Sequence, residues 1–445
     1  MSKVICRWRR AQVVAIFALA AAALASPAAD KEPAASGKRV AAGKSATAKA
    51  TILRREGGVG TEWRPVDEKE TLYTGDLLIG LPGAVLDSAN GAVRLEFLSD
   101  LDELSPFPVK ENAVVLGSNP DFDVEFTLDR GRVDMVNTKK KGEAKVRFHV
   151  RDAVWDVTLA EPGSSVACEL FGRWPRGVRF TRKPGPRDVP TASLLILALK
   201  GESSVKHEGC ECAMAAPPGP ALIEWDSVHG QDKSPQRLEK LPEWAESGKE
   251  DTPKAQQKKA ILEKLRKMVA AKPIGEVLDE LLASDDAQIR RMAIIAAGAI
   301  DDLERLGKAL RETKHLDVWE NGVLTLRHWI GRCPGQDQIL YDRLVDKRNF
   351  SPVHAETVMQ LLHSFGDDDL ARPETYQMLI DYLDHDQLAI RGLSYWHLHR
   401  LVPAGKEFGY NPNSSKEERE QAIAKWRKLV PVGTVPAKPK PMEKK

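Results

Sequence analysis

His207-x-x-Cys210-x-Cys212 is the densest group of soft ligands in the chain. Imidazole and thiolate suit zinc, but a zinc site takes four ligands, and no second CxxC or HxxxH pair accompanies this one. The same thiols would oxidise in an oxidising compartment, with Cys168 as a third partner, and spacing alone does not give the connectivity. Unpaired loop thiols are the plainer reading; Cys333 falls in the second half of the chain. Ser203-x-x-Lys206 has the spacing of a serine–lysine nucleophile pair, yet it falls on a strand edge without the companion motifs. Gly57-Gly58-Val59-Gly60 lacks the Lys-Ser/Thr that phosphate cradling requires. Asp367-Asp368-Asp369 lacks the spaced oxygens and the glycine of an EF-hand loop, and reads as a turn and helix cap. His397 and His399 are two residues apart on a helix and so face apart. His397 follows the stripe of Ile390 and Leu393 and reads as a core histidine. No G-x-S-x-G or H-E-x-x-H occurs. No catalytic residue, cofactor-binding residue or metal ligand is therefore expected. Arg173-Trp174-Pro175-Arg176 stands apart. Arginine and tryptophan dominate protein-binding surfaces, which makes Arg173, Trp174 and Arg176 the candidate protein-binding residues; the alternative is a hairpin that tucks its tryptophan inward.

The elements that would carry these residues differ between the two halves. Val93–Phe97, Val124–Leu128, Val146–Val150 and Val154–Leu159 alternate apolar and polar residues, the period of a half-buried strand. Leu81-Pro82-Gly83, Ala89-Asn90-Gly91, Asp129-Arg130-Gly131 and Glu161-Pro162-Gly163 mark turns between them. Ser193–Leu199 and Ala221–Trp225 continue the series, and Trp155 and Trp225 read as core. Short strands without helical crossovers predict an all-β module over 51–228, of sandwich or jelly-roll type, and argue against a parallel Rossmann-type sheet.

Within that module Leu72-Tyr73-Thr74-Gly75-Asp76-Leu77-Leu78 resembles the "G-D" opening of the FecR-like periplasmic domain. Ala89–Leu95, Leu128-Asp129-Arg130-Gly131-Arg132-Val133, Pro162–Ala167 and Leu199–Val205 are similar to its later strand-and-glycine motifs. The resemblance covers Glu70–Val205. It implies an exported β module and brings no catalytic residues. Classical members signal to a sigma factor through a cytoplasmic segment ahead of a membrane helix. Here only Met1–Arg10 precede the apolar run, so the expected role is that of a binding or structural domain.

The second half has helical periods. Ile261, Leu262, Leu265, Met268 and Val269 form one apolar stripe, as do Ile289, Met292, Ala293, Ala296 and Ile300. Val358–Phe365 and Tyr376–Leu383 repeat the pattern. Ser414 three residues before Glu417 predicts a capping box for a last helix that buries Ile423, Trp426 and Val430. Leu282–Arg290 can be laid on Leu383–Arg391 with Leu, Asp, Ile and Arg at the same spacing, which is similar to HEAT-type repeats. The expected fold is thus an N-terminal β module followed, over 259–430, by HEAT-like α-helical hairpins.

Lys3, Arg7, Arg9 and Arg10, the apolar run Ala11–Leu24 and Ala23-Leu24-Ala25 describe a secretory signal over 1–25. The run is shorter than the about 20 residues of a spanning helix; left uncleaved, residues 11–29 would anchor the chain at the inner membrane. Residues 26–50 read as a flexible spacer, 229–258 as a charged linker containing a short docked piece at Leu241–Trp244, and 431–445 as a disordered Pro/Lys tail. The 445 residues carry 66 basic and 64 acidic side chains, a net charge of +2, which gives no global field for nucleic acid. The chain is therefore expected to be an exported, non-enzymatic binding or scaffold protein of the periplasm or cell envelope with a protein partner. A membrane-anchored FecR-type signalling protein is the alternative, and an enzyme with an unrecognised site the third reading.

Overall fold

Alternation along Val93–Leu98 buries Val93, Leu95 and Phe97 and leaves Arg94, Glu96 and Leu98 half-buried, so this segment is a strand with one core face. The same rule builds the first half of the molecule. The computed structural model describes residues 39–437 except 59–61, 102, 109–110, 232–233, 247–251 and 313. Arg39 onward forms one compact unit, with strands from Ala41–Ser45 to Gln236–Leu238 and helices from Pro253–Val269 to Lys416–Leu429.

The strands make two ladders that share Val124–Asn137. Its first part pairs with Asn112–Gly117 and, in parallel, with Ala144–Val150. Its second part pairs antiparallel with Val93–Leu98 and Ser165–Arg173. Ala153–Leu159, Glu202–His207 and Cys210–Ala215 extend the first ladder; Thr191–Lys200 and Gly219–Asp226 extend the second. Apolar side chains from both ladders, among them Phe97, Phe126, Phe148, Trp155 and Met135, form one buried cluster. All the named pairings but that of Val124–Asn137 with Ala144–Val150 are antiparallel, and among the described residues no α-helix crosses over between strands.

The shared strand changes partners at Gly131, whose φ is 82°. A Cβ there would stand 2.2 Å from the Glu111 carbonyl oxygen and 2.3 Å from Asn112 Oδ1. Both the left-handed backbone and the crowding exclude a side chain. Gly131→Ala should lower stability by about 3 kcal/mol, read as a shift in the urea midpoint; a shift under about 1 kcal/mol would show that the ladders tolerate a different crossing.

Asp76, of the sequence motif Gly75-Asp76, is fully buried. Its carboxylate accepts the Tyr73 N–H (2.9 Å) and pairs with Arg39, so this aspartate fixes a turn. The spacer expected over 26–50 ends earlier than the sequence indicated. Ala41–Ser45 is a strand between Thr71–Tyr73 and Ala84–Ser88. Its small residues carry no apolar pattern, and their smallness is what the packing uses: a Cβ on Gly43 would be 2.7 Å from Leu86 Cδ1. The linker expected over 229–258 also contains structure. Gln236–Leu238 pairs with Gly219–Asp226, and the turn Glu243–Glu246 brings Trp244 against Arg132. Helical structure begins ahead of residue 259, at Pro253, where Thr252 accepts the Ala255 N–H (3.1 Å).

In the helical half, the two segments matched in sequence share a detail. Arg290 donates from Nη1 to the Ser284 carbonyl (2.7 Å), and Arg391 donates to the equivalent His385 carbonyl (2.6 Å). Arg290 also bridges bidentately to Asp317, whereas Arg391 reaches the Pro412 carbonyl. Asp286 caps its helix; Gln387, in the equivalent position, makes no side-chain cap. The last helix starts one residue later than the sequence indicated: the capping box is Ser415 with Glu418. Ser414-Ser415-Lys416-Glu417-Glu418 offers both registers, and the observed one buries Ile423 and Trp426 as expected.

Candidate binding cleft between strands and helices

The end of the strand Ser165–Arg173 meets the helix Leu316–Arg332 backbone to backbone. A Cβ on Gly172 would lie 2.5 Å from the Gly331 carbonyl oxygen, and one on Gly331 would lie 2.8 Å from Arg173 Cα. The chain then turns across the helices. Trp174 donates its indole N–H to the Ile330 carbonyl (2.8 Å) and packs on His363, 4.4 Å between ring centroids. Phe180 stacks on Tyr341 at 5.4 Å.

Beneath this contact lies a buried ion network. At the end of the helix Ala287–Ala299 the carbonyls of Gly298, Ala299 and Ile300 run out of helical partners, and among them only that of Gly298 also takes a backbone N–H, from Asp301. Arg332 donates to Gly298 O (3.0 Å), Arg130 to Ala299 O and Trp63 to Ile300 O (3.0 Å). Cations and an indole N–H thus meet the negative end of the helix dipole. Glu111 pairs with Arg332 and lies 2.9 Å from Arg130 Nε, a contact of charges rather than an aligned hydrogen bond. Asp301 takes Arg332 (3.1 Å), the Trp329 indole (2.9 Å) and Arg55 (3.3 Å). Burial opposes the Arg130 charge, but Glu111, Asp129 and Asp301 outweigh it and hold the guanidinium above its ordinary value. Burial, with Arg130 alongside, pushes Arg332 below its own.

Beside this junction opens a cleft of about 840 Å³. Phe171, Arg173, Trp174 and Arg176 line it from the strand side; Leu324, Arg327 and His328 from the helix; Val228 and His229 from the turn after Gly219–Asp226. Phe171 stacks on His328 at 5.3 Å. Arg173 and Arg176 are exposed, and no carboxylate pairs with Arg173, Arg176 or Arg327 among the described residues. Burial, then Arg400 and Arg176, push Arg327 down to about 10. The acids of the cleft are already engaged. Glu111 belongs to the ion network, and Asp226 accepts the backbone N–H groups of Val228 and His229, both at 2.8 Å. Burial raises the Asp226 carboxyl, and these bonds more than offset it, leaving it below its usual value.

Comparison of the chain with protein-family models, curated proteins and solved structures returned no match.

The three residues singled out in sequence, Arg173, Trp174 and Arg176, all line the cleft. Trp174 is the one turned to internal use, through its bond to Ile330. The helix wall was not foreseen. Leu324, Arg327 and His328 lie at helical spacing, but nothing in the sequence indicates that this face meets a strand end.

The other sequence candidates are placed elsewhere. His207 and Cys210 face each other across one hairpin, and Cys212 faces Val205. His207 stacks on Trp155 at 3.9 Å and bonds to the Val154 carbonyl (2.9 Å). Cys168, Cys212 and Cys333 are free thiols, and Cys168 is in the core. No group of three or more His, Cys, Asp or Glu side chains that could hold a metal ion occurs among the described residues. Ser203 and Lys206 are three apart on one strand and point to opposite faces. Asp369 accepts the Gly366 N–H (3.1 Å) and pairs with Arg179 (2.8 Å), as a cap. His397 is buried with Nε2 2.7 Å from the Leu361 carbonyl oxygen, and burial pushes it down to about 3.

The signal or anchor expected over 1–25, the anchor span 11–29 and the basic residues Lys438–Lys445 lie outside the described residues. Among the described residues no helix is long and apolar enough to cross a membrane.

Proposed function

We propose that the chain is an exported, non-enzymatic binding or scaffold protein of the bacterial cell envelope, and that it receives a protein partner in the cleft between strands and helices. The observation that carries this reading is the cleft itself. It joins aromatic and arginine side chains, the types that dominate binding energy at protein interfaces, with the exposed apolar residues Leu324 and Val228. In this reading the first half is a FecR-like β module of sandwich type. Its support is the shared core of the two ladders and the fit of Gly75, Asp76 and Gly131 to turn and crossing positions. The second half is read as HEAT-like hairpins, supported by the common carbonyl bonds of Arg290 and Arg391.

The test is fractionation of the native host with sequencing of the mature N-terminus, together with a photocrosslinking residue at position 324. The expected result is a periplasmic protein starting near Ser26 and a defined crosslinked protein from position 324, absent when the crosslinker stands at exposed Ile339. A cytoplasmic protein would overturn the export reading. Retention in the inner membrane with an intact N-terminus would favour the FecR-type signalling alternative. Absence of any crosslink from position 324 would remove the cleft from the account.

A further inference from the structure

The charge on the cleft walls is one-sided. Arg173, Arg176 and Arg327 face it without carboxylate partners, while Glu111 and Asp226 are held by the ion network and by backbone N–H groups. Elsewhere on this nearly neutral chain arginines are commonly paired. Arg94 with Asp87, Arg147 with Asp156 and Arg305 with Asp279 each form bidentate contacts. What distinguishes Arg173, Arg176 and Arg327 is that three arginines without a carboxylate line one cleft. Arg327 also sits against Trp396, 5.1 Å from its ring centroid, with Arg400 over the same ring at 4.1 Å. Arg400 and Arg176 both oppose the charge of Arg327, Glu320 acts on Arg400, and a carboxylate bound beside Arg327 in the cleft relieves that repulsion.

The apolar part of the cleft bears on what else the occupant carries. Val228 is 62% and Leu324 47% exposed, on the strand side and the helix wall respectively. At about 840 Å³ the cleft has the size of a site for a whole organic ligand, far more than one carboxylate fills.

We infer that the cleft binds an acidic peptide segment, with carboxylates set against Arg173, Arg176 and Arg327 and apolar side chains against Leu324 and Val228. This rests on the partner-binding reading above and adds to it the chemistry of the partner. Arginine supplies planar forks that match carboxylates, and the apolar walls discriminate such a segment from a free small anion. A nucleic acid is the competing polyanion, and the cations here occupy one cleft rather than a stripe along the surface.

The test uses the full chain and fluorescence anisotropy with labelled ten-residue peptides. One alternates Glu with Leu and Phe, the second has Gln in place of Glu, and the third has Lys. An oligothymidylate of ten nucleotides and free citrate complete the set. The expected result is binding of the Glu peptide, about tenfold weaker binding of the Gln peptide, none of the Lys peptide, and weakening of the Glu complex between 25 and 200 mM salt, by screening at about a Debye length. R173E and R176E, both at exposed positions, should each weaken the Glu peptide about tenfold. K141E makes the same change in net charge in the connection between Val124–Asn137 and Ala144–Val150, outside the cleft lining, and should leave binding unchanged.

Equal affinity for the Glu and Gln peptides, with both lost in L324R, would overturn the acidic specificity and leave the partner-binding reading standing. Failure of every peptide would overturn the proposal, and the crosslink at position 324 then decides the broader reading separately. Tighter binding of the oligonucleotide, full displacement by citrate at equal carboxylate concentration, or an equal effect of K141E would each overturn it as well.

Discussion

Glu111→Ala should lower the stability of this chain by about 3–5 kcal/mol, among the largest effects of any single substitution outside the apolar cores. Glu111 is 7% exposed and stands between Arg130 and Arg332, both buried. Truncating it leaves two guanidinium groups without their shared carboxylate, in a site where water does not replace it. Asp129 remains beside Arg130 and Asp301 beside Arg332, but Asp301 already serves Arg55 and the Trp329 indole as well. The cost is that of an abandoned charge, not the net worth of the pair. Glu111→Gln, which keeps the shape and one acceptor, should therefore fall between the parent and the alanine variant. Denaturant unfolding checks this: the midpoint should drop with little change in slope, since the surface exposed on unfolding is unaltered. A loss below about 1 kcal/mol would mean that water enters the junction and solvates the arginines.

The second large effect depends on pH. Glu169 lies on the strand Ser165–Arg173, 2% exposed, with its carboxyl bonded to the Ser105 hydroxyl. Burial pushes it up from its ordinary value of 4.5 to about 7; Ser105 and Arg132 oppose this, while Asp100 and Asp134 add to it. The folded chain thus keeps a proton that the unfolded chain releases. The stability this group contributes is full below pH 4.5 and is lost as pH rises through 7. Glu169→Gln removes the ionisation while keeping a hydrogen-bonding amide. Relative to the parent, the variant should gain about 3 kcal/mol between pH 4.5 and pH 8. Urea midpoints of both proteins at three pH values measure the difference directly. A difference that stays flat with pH would show that Glu169 is ionised in the folded chain throughout.

Much of the β-then-helix order was legible because it rests on local period. Val93–Leu98 alternates with two, and Ile261, Leu265 and Val269 recur on one helical face. What escaped was structure built from residues with no such signature. Ala41–Ser45 becomes a strand because its neighbours supply edges to pair with, and its small side chains let Leu86 come close. The one-residue shift of the last capping box escaped because two serines and two glutamates make both registers chemically equal. Only the fit of Trp426 into the core separates them. For the cleft, Arg173, Trp174 and Arg176 were visible as an unusual cluster. Leu324, Arg327 and His328 were not, because their meaning comes from the strand end opposite them, and that contact depends on two glycines far apart in the chain.

The strand Val124–Asn137 has a consequence for the order in which the chain acquires structure. Its neighbours lie both before it, in Val93–Leu98 and Asn112–Gly117, and after it, in Ala144–Val150 and Ser165–Arg173. The central strand gains its last partner in the first ladder only when Ala144–Val150 has left the ribosome, and in the second only when Ser165–Arg173 has. Arg130, on the same strand, then supplies a cap to the helix Ala287–Ala299. A nascent chain emerging from its N-terminus can therefore pair its central strand on one side at once but on the other only later, and the helices have a completed surface to dock on only afterwards. High sequence separation of this kind makes for slow folding, so refolding from denaturant should show strand formation preceding, and limiting, the appearance of the docked helical half.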